Sequence, residues 1–463
     1  MKPIPALLTI LILLTAASTR AEDLSTPGPY PAGWRTVTVT RPDLTTFSAR
    51  VHYPALTAGL NAPRDAALPP LPAVTFGHGF LTPVSAYQST LQHLATRGYI
   101  VIASESEGSL FPSHSRFAGD LSHCLTYLIE QSDTPGSWLE GAVDPLRLGA
   151  SGHSMGGGAS ILAAAADPRI RALAPLAPAE TSPSAAAAAA NLSIPFTAIV
   201  GTRDTITPTA SHGQLMYNAA PGPRRMISQI GGFHCGYIDS STFGCDSGSM
   251  PRAEQLALTR ALLTAAFDLH LRDDHSRAPL VWDPQAQTDP RLAAVIDPRL
   301  ALSAPPAPLS ARGYAPLDIP FIATVSGPLP RTLTPGSESP WLLAAPGPIG
   351  PIAPGDSTPL AITARVPAGT PLPASTSFKA WVRTEANVYA YAVATLTASC
   401  PADYNNDELV DILDFLDFFD DFGQCDQLPS PCGTLGNPDL NGDTLIDIVD
   451  FLDFMDAFGS GCI

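Results

Sequence analysis

The sequence predicts an α/β domain on a doubly wound sheet, then a small β-sandwich-like region, then a helical tail built on a tandem repeat. Three observations predict it. Strand-like and helix-like segments alternate from about residue 28 to 275. From about 303 to 398 the chain is rich in Pro, Gly, Ser and Thr, with short β-type runs between turn signals. Beyond residue 399 an acidic segment occurs twice.

The chain has 463 residues, 45% of them hydrophobic and 14% charged. That composition suits packed domains rather than a disordered chain, and the length suits about three of them. Lys2 followed by the apolar run 6–17 reads as a secretory signal, with cleavage expected near residue 21. The run is shorter than the ~20 residues a membrane span needs. The mature protein, 22 onward, is expected to be secreted or at the cell surface.

An oxidising compartment lets disulfides persist, so the seven cysteines read as a framework. Cys235 and Cys245 lie close in sequence. Cys400, Cys425, Cys432 and Cys462 bracket the two repeat copies and suggest the pairs Cys400–Cys425 and Cys432–Cys462. Cys124, in an amphipathic helical pattern, reads as a buried free thiol. The net charge is −17, and residues 401–463 hold fifteen Asp or Glu and no Lys or Arg. That excludes a nucleic-acid partner and favours a cation-binding tail.

In the first domain, taken as 22–302, the run 146–151 reads as the end of a strand. It is followed by Gly152-His153-Ser154-Met155-Gly156-Gly157-Gly158 and a helical run to Ala166. This is the strand–turn–helix setting of a G-x-S-x-G elbow, which lifts a serine hydroxyl above the sheet at a helix N-terminus. A serine nucleophile needs a base, and the base an orienting acid. Asp204 follows the buried strand pattern 196–201, and His234 sits in a glycine-rich loop. The order Ser154, Asp204, His234 fits such a set. Asp204 as a helix cap and His234 as a solvent-facing histidine are the competing readings. Two N–H donors are needed for an oxyanion. They are assigned to Met155, directly after the serine, and to Phe80, in the loop after the strand 73–76. His78 is expected to make a structural hydrogen bond. His114, His123 and His212 read as ordinary helix or surface residues. Residues 276–302 either close this domain or link it to the region 303–398, which is read as a β-sandwich or a linker.

These residues resemble the bacterial cutinase and polyester hydrolase family, an α/β-hydrolase family related to dienelactone hydrolases and chlorophyllase-like esterases. The likeness runs from residue 28 to about 270. It rests on Gly28-Pro29-Tyr30, the segment 97–102, Ser115-Arg116, the Gly152–Gly158 elbow, and Asp204–Pro208 through His212, Tyr217 and Asn218. It implies a serine carboxylic ester hydrolase with Ser154 as nucleophile, His234 as base, Asp204 as acid, Phe80 and Met155 as oxyanion donors, and no cofactor in the chemistry. The family's aromatic clamp, a tryptophan after the strand following the elbow helix, is replaced by the stretch 176–181. Small or flexible esters are therefore expected to be preferred over rigid aromatic polyesters. A same-fold peptidase or acyltransferase, or a non-catalytic adhesion protein on a hydrolase scaffold, are the alternatives.

In the tail, 399–463, Asp403, Asn405, Asp407, Leu409, Asp411 and Asp414 recur 36 residues later as Asp439, Asn441, Asp443, Leu445, Asp447 and Asp450. Oxygen side chains fall at positions 1, 3, 5, 9 and 12, with a backbone carbonyl at 7, which is Ca²⁺-loop spacing. Each copy precedes an apolar stripe, Phe415, Phe418, Phe419 and Phe422 or Phe451, Phe454, Met455 and Phe458, at helical spacing. The repeat resembles a dockerin of the cysteine-flanked GC type. That implies structural Ca²⁺ and docking to a cohesin-like or unknown surface receptor.

Overall fold

The computed structural model describes residues 22–312, 316–367, 370, 372–404, 410–425, 428, 432, 438–440 and 444–460. The expected signal segment lies outside the described residues.

The first unit is a mixed ten-stranded sheet with helices on both faces. In chain order it contains β1 (Ala32–Thr40), β2 (Thr46–Pro54), β3 (Gly59–Leu60), β4 (Leu71–Gly77), α1 (Gln88–Thr96), β5 (Ile100–Ser104) and α2 (His114–Asp133). There follow β6 (Val143–His153), α3 (Met155–Ala166), β7 (Ile170–Leu176), α4 (Ala185–Ala189), β8 (Phe196–Gly201), α5 (Gly213–Ala219), β9 (Arg224–Gln229), α6 (Arg252–Leu271), α7 (Ala278–Trp282) and β10 (Leu292–Asp297). The strand order is β10-β9-β8-β7-β6-β4-β5-β2-β1-β3. From β9 to β5 the strands run parallel, with antiparallel β10 and β2 flanking them.

Parallel strands covered on both faces read as continuous apolar runs. Here β4, β5 and β8 are buried at every residue. One face packs against α2 and α3. In α2, Phe117, Leu121, Cys124, Leu125 and Leu128 recur at helical spacing and are buried in one cluster with Ile161 and Phe196. The Ser113 side chain caps this helix by accepting from the Arg116 N–H at 3.3 Å. The other face packs against α1 and α6 through Leu91, Leu94, Leu263 and Phe267. Cys124 is a free, buried thiol, and burial holds it well above the usual thiol range.

The stretch 276–302 divides. Strand β10 pairs with β9 in the first sheet, while β11 (Leu300–Ser303) pairs with β13 (Leu317–Val325) in the second unit. That unit has two sheets. One contains β11, β13, β15 (Leu342–Ala344) and β17 (Ser357–Ala364). The other contains β12 (Leu309–Arg312), β14 (Arg331–Ser337), β16 (Ile349–Ile352), β18 (Ala374–Arg383) and β19 (Tyr389–Ser399). Alternating inward residues of both sheets, among them Ile319, Phe321, Phe378 and Val382, form its core. It is joined to the first unit by the Lys379–Asp283 ion pair and by Asn387 Nδ2, which donates to Leu269 O at 3.1 Å and Asp273 Oδ1 at 2.7 Å.

The tail contains α8 (Ile412–Cys425) and α9 (Ile448–Ser460). Phe418 and Phe454, equivalent positions in the repeat, stack with ring centroids 4.0 Å apart and planes 2° apart. The expected pairing of Cys400 with Cys425 is corrected: Cys425 bonds to Cys432, seven residues on, closing the chain just past α8. Cys400 is itself in a disulfide, and Cys462 lies outside the described residues. Among the described residues no helix is long and apolar enough to cross a membrane.

Candidate active site

The parallel strands end on one edge of the sheet, where open α/β folds gather their sites. Ser154 follows β6 with φ 56° and ψ −118°, a conformation L-residues rarely adopt and one that costs roughly 1–3 kcal/mol. Three backbone hydrogen bonds hold it there. Its N–H donates to Leu176 O at 3.0 Å, and its carbonyl accepts from Ala179 at 2.9 Å and Gly158 at 3.0 Å. A side chain at Gly156 would put its Cβ 2.1 Å from the Gly77 backbone, so only glycine lets the elbow sit against the loop after β4.

Asp204 follows β8 and His234 follows β9. The His234 Nδ1 lies 2.8 Å from Asp204 Oδ2. Asp204 Oδ1 accepts the N–H groups of Ile206 at 2.9 Å and Thr207 at 2.7 Å. The capping role weighed for Asp204 is therefore real but local, a turn rather than a helix end, and it uses the oxygen that the imidazole leaves free. Burial works against ionisation of Asp204. The hydrogen bond and charge of His234, with the Thr207 amide and hydroxyl, outweigh it and hold the carboxyl below its ordinary value. His234 is buried rather than solvent-facing. Ser154 and His234 line the same cleft, and among the described residues Ser154 Oγ makes no hydrogen bond.

The loop after β4 lies across the elbow. Among the described residues neither the Phe80 nor the Met155 N–H has a hydrogen-bond acceptor, which leaves both free for a ligand oxygen. His78 is buried and structural, with its ring nitrogens each 2.8 Å from a carbonyl, of Gly79 and of Ser106. The Gly79 N–H donates to Tyr87 Oη at 2.9 Å, and that oxygen lies 2.8 Å from His153 Nδ1. Tyr87 thus ties the loop to the residue before the serine. His153 packs on the His234 ring at 4.5 Å between centroids. Burial holds His153 well below the usual histidine range, so it stays neutral and presents no like charge to a protonated His234.

Several residues at this site are given no role by the sequence motifs. Thr207 Oγ1 lies 2.9 Å from Asp204 Oδ2 and 3.0 Å from His234 Nδ1. Asp246 accepts the N–H groups of His234 at 2.9 Å, Cys235 at 3.0 Å and Thr205 at 3.2 Å, so it joins the loop after β9 to the loop after β8. The Cys235–Cys245 disulfide closes the same segment. Ser154 stands where two clefts meet. One, about 210 Å³, is bounded by His234 and Phe243, and the other, about 580 Å³, by Phe111, His114 and His212. Phe111 is 93% exposed and Phe243 wholly exposed. His114 and His212, read as ordinary, accept the N–H groups of Ser182 at 3.1 Å and Glu180 at 2.9 Å and shape the wall of the larger cleft.

In the tail, Asp414 and Asp450 are fully buried. Asp414 Oδ2 accepts the Asp411 N–H at 2.8 Å, and Asp450 accepts those of Leu440 at 2.7 Å and Asp447 at 3.0 Å. Asp439 Oδ2 accepts from Thr444 N–H at 3.1 Å. Asp403 and Leu445 are described, whereas Asn405, Asp407, Leu409, Asn441 and Asp443 lie outside the described residues. Among the described residues no three His, Cys, Asp or Glu side chains form a metal-holding group.

Residues 19–241 match the family described as PET hydrolase-like. The chain is 34% identical over 152 residues to the bis(hydroxyethyl) terephthalate hydrolase of Streptomyces coelicolor, covering 32% of this chain and 46% of that protein. It is 30% identical over 149 residues to cutinase est1 of Thermobifida alba, covering 32% and 48%. It is 30% identical over 130 residues to a cutinase of Thermobifida fusca, covering 28% and 40%. The chain thus spans under half the length of these curated relatives.

Proposed function

We propose that the protein is a secreted serine carboxylic ester hydrolase acting through an acyl-enzyme. The observation that carries this reading is the strained Ser154 sharing a cleft with a histidine whose far nitrogen is held 2.8 Å from a buried carboxylate. Similarity to cutinases and a terephthalate ester hydrolase supports the same chemistry. In this reading Ser154 Oγ attacks the ester carbonyl while His234 takes its proton. Asp204 holds the imidazole in the required tautomer and offsets its charge. The developing oxyanion receives the N–H groups of Phe80 and Met155 at the start of α3, whose dipole favours negative charge. His234 returns the proton to the leaving alcohol, then activates water to release the acid. No cofactor is assigned to these steps. Ser154→Ala is expected to lower kcat on p-nitrophenyl butyrate by at least ~10⁴ while leaving the fold intact. Activity within tenfold of the parent would defeat the assignment, as would a peptide or acyl acceptor turned over better than any ester.

The tail is read as a dockerin-like module that holds Ca²⁺ and tethers the enzyme to a cohesin-like or other surface receptor. What supports it is the repeat itself and two buried carboxylates, Asp414 and Asp450, at equivalent positions. Oxygen donors of this kind suit a hard cation. Burial and the neighbouring Asp450 and Asp456 hold the Asp453 carboxyl above its ordinary value, a sign of crowded negative charge. With the full chain, Ca²⁺ is expected to raise the melting temperature of the tail transition and a chelator to lower it, with esterase activity unchanged. A tail transition indifferent to Ca²⁺ would defeat this part alone.

A further inference from the structure

A second cavity, about 480 Å³, lies between the N-terminal segment, α1 and α6, and shares no lining residue with the clefts at Ser154. Its apolar wall includes Pro27, Pro31 and Ala32, and its polar side is formed by Gln92, His93 and Arg260. Arg260 is half-buried, yet among the described residues its guanidinium makes no ion pair, hydrogen bond or aromatic contact, and its Nε is fully enclosed. The arginines around it are not left so. Arg252, two turns earlier on α6, donates to the carbonyls of Cys235 and Ile238, and Arg97 binds Glu22 and the carbonyls of Asp23 and Thr26. The nearby carboxylate, Asp239, is occupied by the Ser89 N–H at 3.0 Å and the Ser89 hydroxyl at 2.5 Å, and forms no ion pair with Arg260. Burial pulls the Arg260 guanidinium below its ordinary value, and the charge of Asp239 offsets this only in part. His93 is buried and its Nε2 lies 3.1 Å from Thr264 Oγ1. An unpaired guanidinium at the side of an apolar hollow is the recognition element of a carboxylate: a planar fork of donors for the two oxygens, with surface for the organic body. The hollow is also in the size range of small-molecule sites and much larger than an inorganic ion requires.

We infer that this cavity is a binding site for a small organic carboxylate with an apolar body, whose carboxylate pairs with Arg260. The inference does not depend on the ester hydrolase reading. Such a site lets a free acid bind without entering the clefts at Ser154.

The test is calorimetric titration of the full chain with hexanoate, and separately with inorganic phosphate. It is repeated on Arg260→Met and on Ser154→Ala. Arg260 has no protein partner to orphan, so its replacement is expected to fold; a melting temperature equal to the parent's checks this. The expected result is saturable one-to-one binding of hexanoate, weakened at least about tenfold by Arg260→Met, the scale of one charge-assisted hydrogen bond, and unchanged in Ser154→Ala. Phosphate is expected to bind more weakly than hexanoate. No saturable binding, binding indifferent to Arg260→Met, or phosphate binding as tightly as hexanoate would each overturn the inference. Failure of the ester hydrolase reading would show instead as an active Ser154→Ala protein and leaves these titrations interpretable.

Discussion

Replacing Thr207 by valine deletes one hydroxyl and keeps the side chain's shape. In the parent that oxygen lies 2.9 Å from Asp204 Oδ2, 3.0 Å from His234 Nδ1 and 3.2 Å from the Ala177 carbonyl. A hydrogen bond to a charged group contributes roughly 1.5–3 kcal/mol. Asp204 keeps three other donors: His234 Nδ1, the Ile206 N–H and the Thr207 N–H. The loss should fall at the low end, about 1.5 kcal/mol, or roughly tenfold in rate. Thr207 is a positioning residue, so the loss belongs in kcat, with KM moving less than about threefold. Asp204→Asn sets the other end of the scale, because a wrong imidazole tautomer costs ~10⁴ in kcat. Initial rates on p-nitrophenyl butyrate for the parent and both variants decide the matter. A Thr207→Val enzyme within twofold of the parent would show that the hydroxyl does not steer the imidazole. One as slow as Asp204→Asn would show that the acid cannot hold the histidine alone. Either result refutes the reasoning.

Stability should fall between pH 7 and 5. His52, His93 and His270 are buried and held down to about 3 by desolvation. In that window the unfolded chain takes protons that the folded one refuses, so each costs ~1.4 kcal/mol per pH unit below about 6.5, or ~2 kcal/mol by pH 5. Urea midpoints at the two pH values test this, and equal midpoints would contradict it. The two exposed rings beside Ser154 should matter most for bulky substrates, each contributing on the order of 1 kcal/mol. The Phe111→Ala/Phe243→Ala enzyme should therefore lose about thirtyfold more kcat/KM on p-nitrophenyl palmitate than on p-nitrophenyl acetate. Equal losses would exclude a binding role for them. With the tryptophan clamp absent, p-nitrophenyl butyrate should be turned over faster than terephthalate polyester film, and the reverse ranking would count against that reading.

The candidate residues were legible where chemistry forces local sequence. The elbow needs glycine at 152 and 156 because backbone passes within 3 Å of where a Cβ would sit, and it lies between a strand and a helix that periodicity marks. Thr207, Asp246, Tyr87 and His153 were not legible as a set. Their contacts join loops tens of residues apart, and each residue type is commonplace in isolation. Phe111 and Phe243 could have been noticed as aromatics in otherwise polar or glycine-rich loops, but their exposure depends on the loop paths. Disulfide pairing failed for a related reason. Symmetry of the repeat suggests Cys400 with Cys425, whereas Cys432 is bonded to Cys425, with Cα atoms 5.8 Å apart.

The central claim is that Ser154 forms a covalent adduct at an ester-cleaving site. A fluorophosphonate probe traps such a serine, and peptide mapping of the labelled full chain identifies the residue. The account predicts stoichiometric labelling on Ser154, loss of esterase activity in step with labelling, and no labelling of Ser154→Ala or His234→Ala. Esterase activity that survives complete labelling of Ser154, or a label found on another residue, would contradict it.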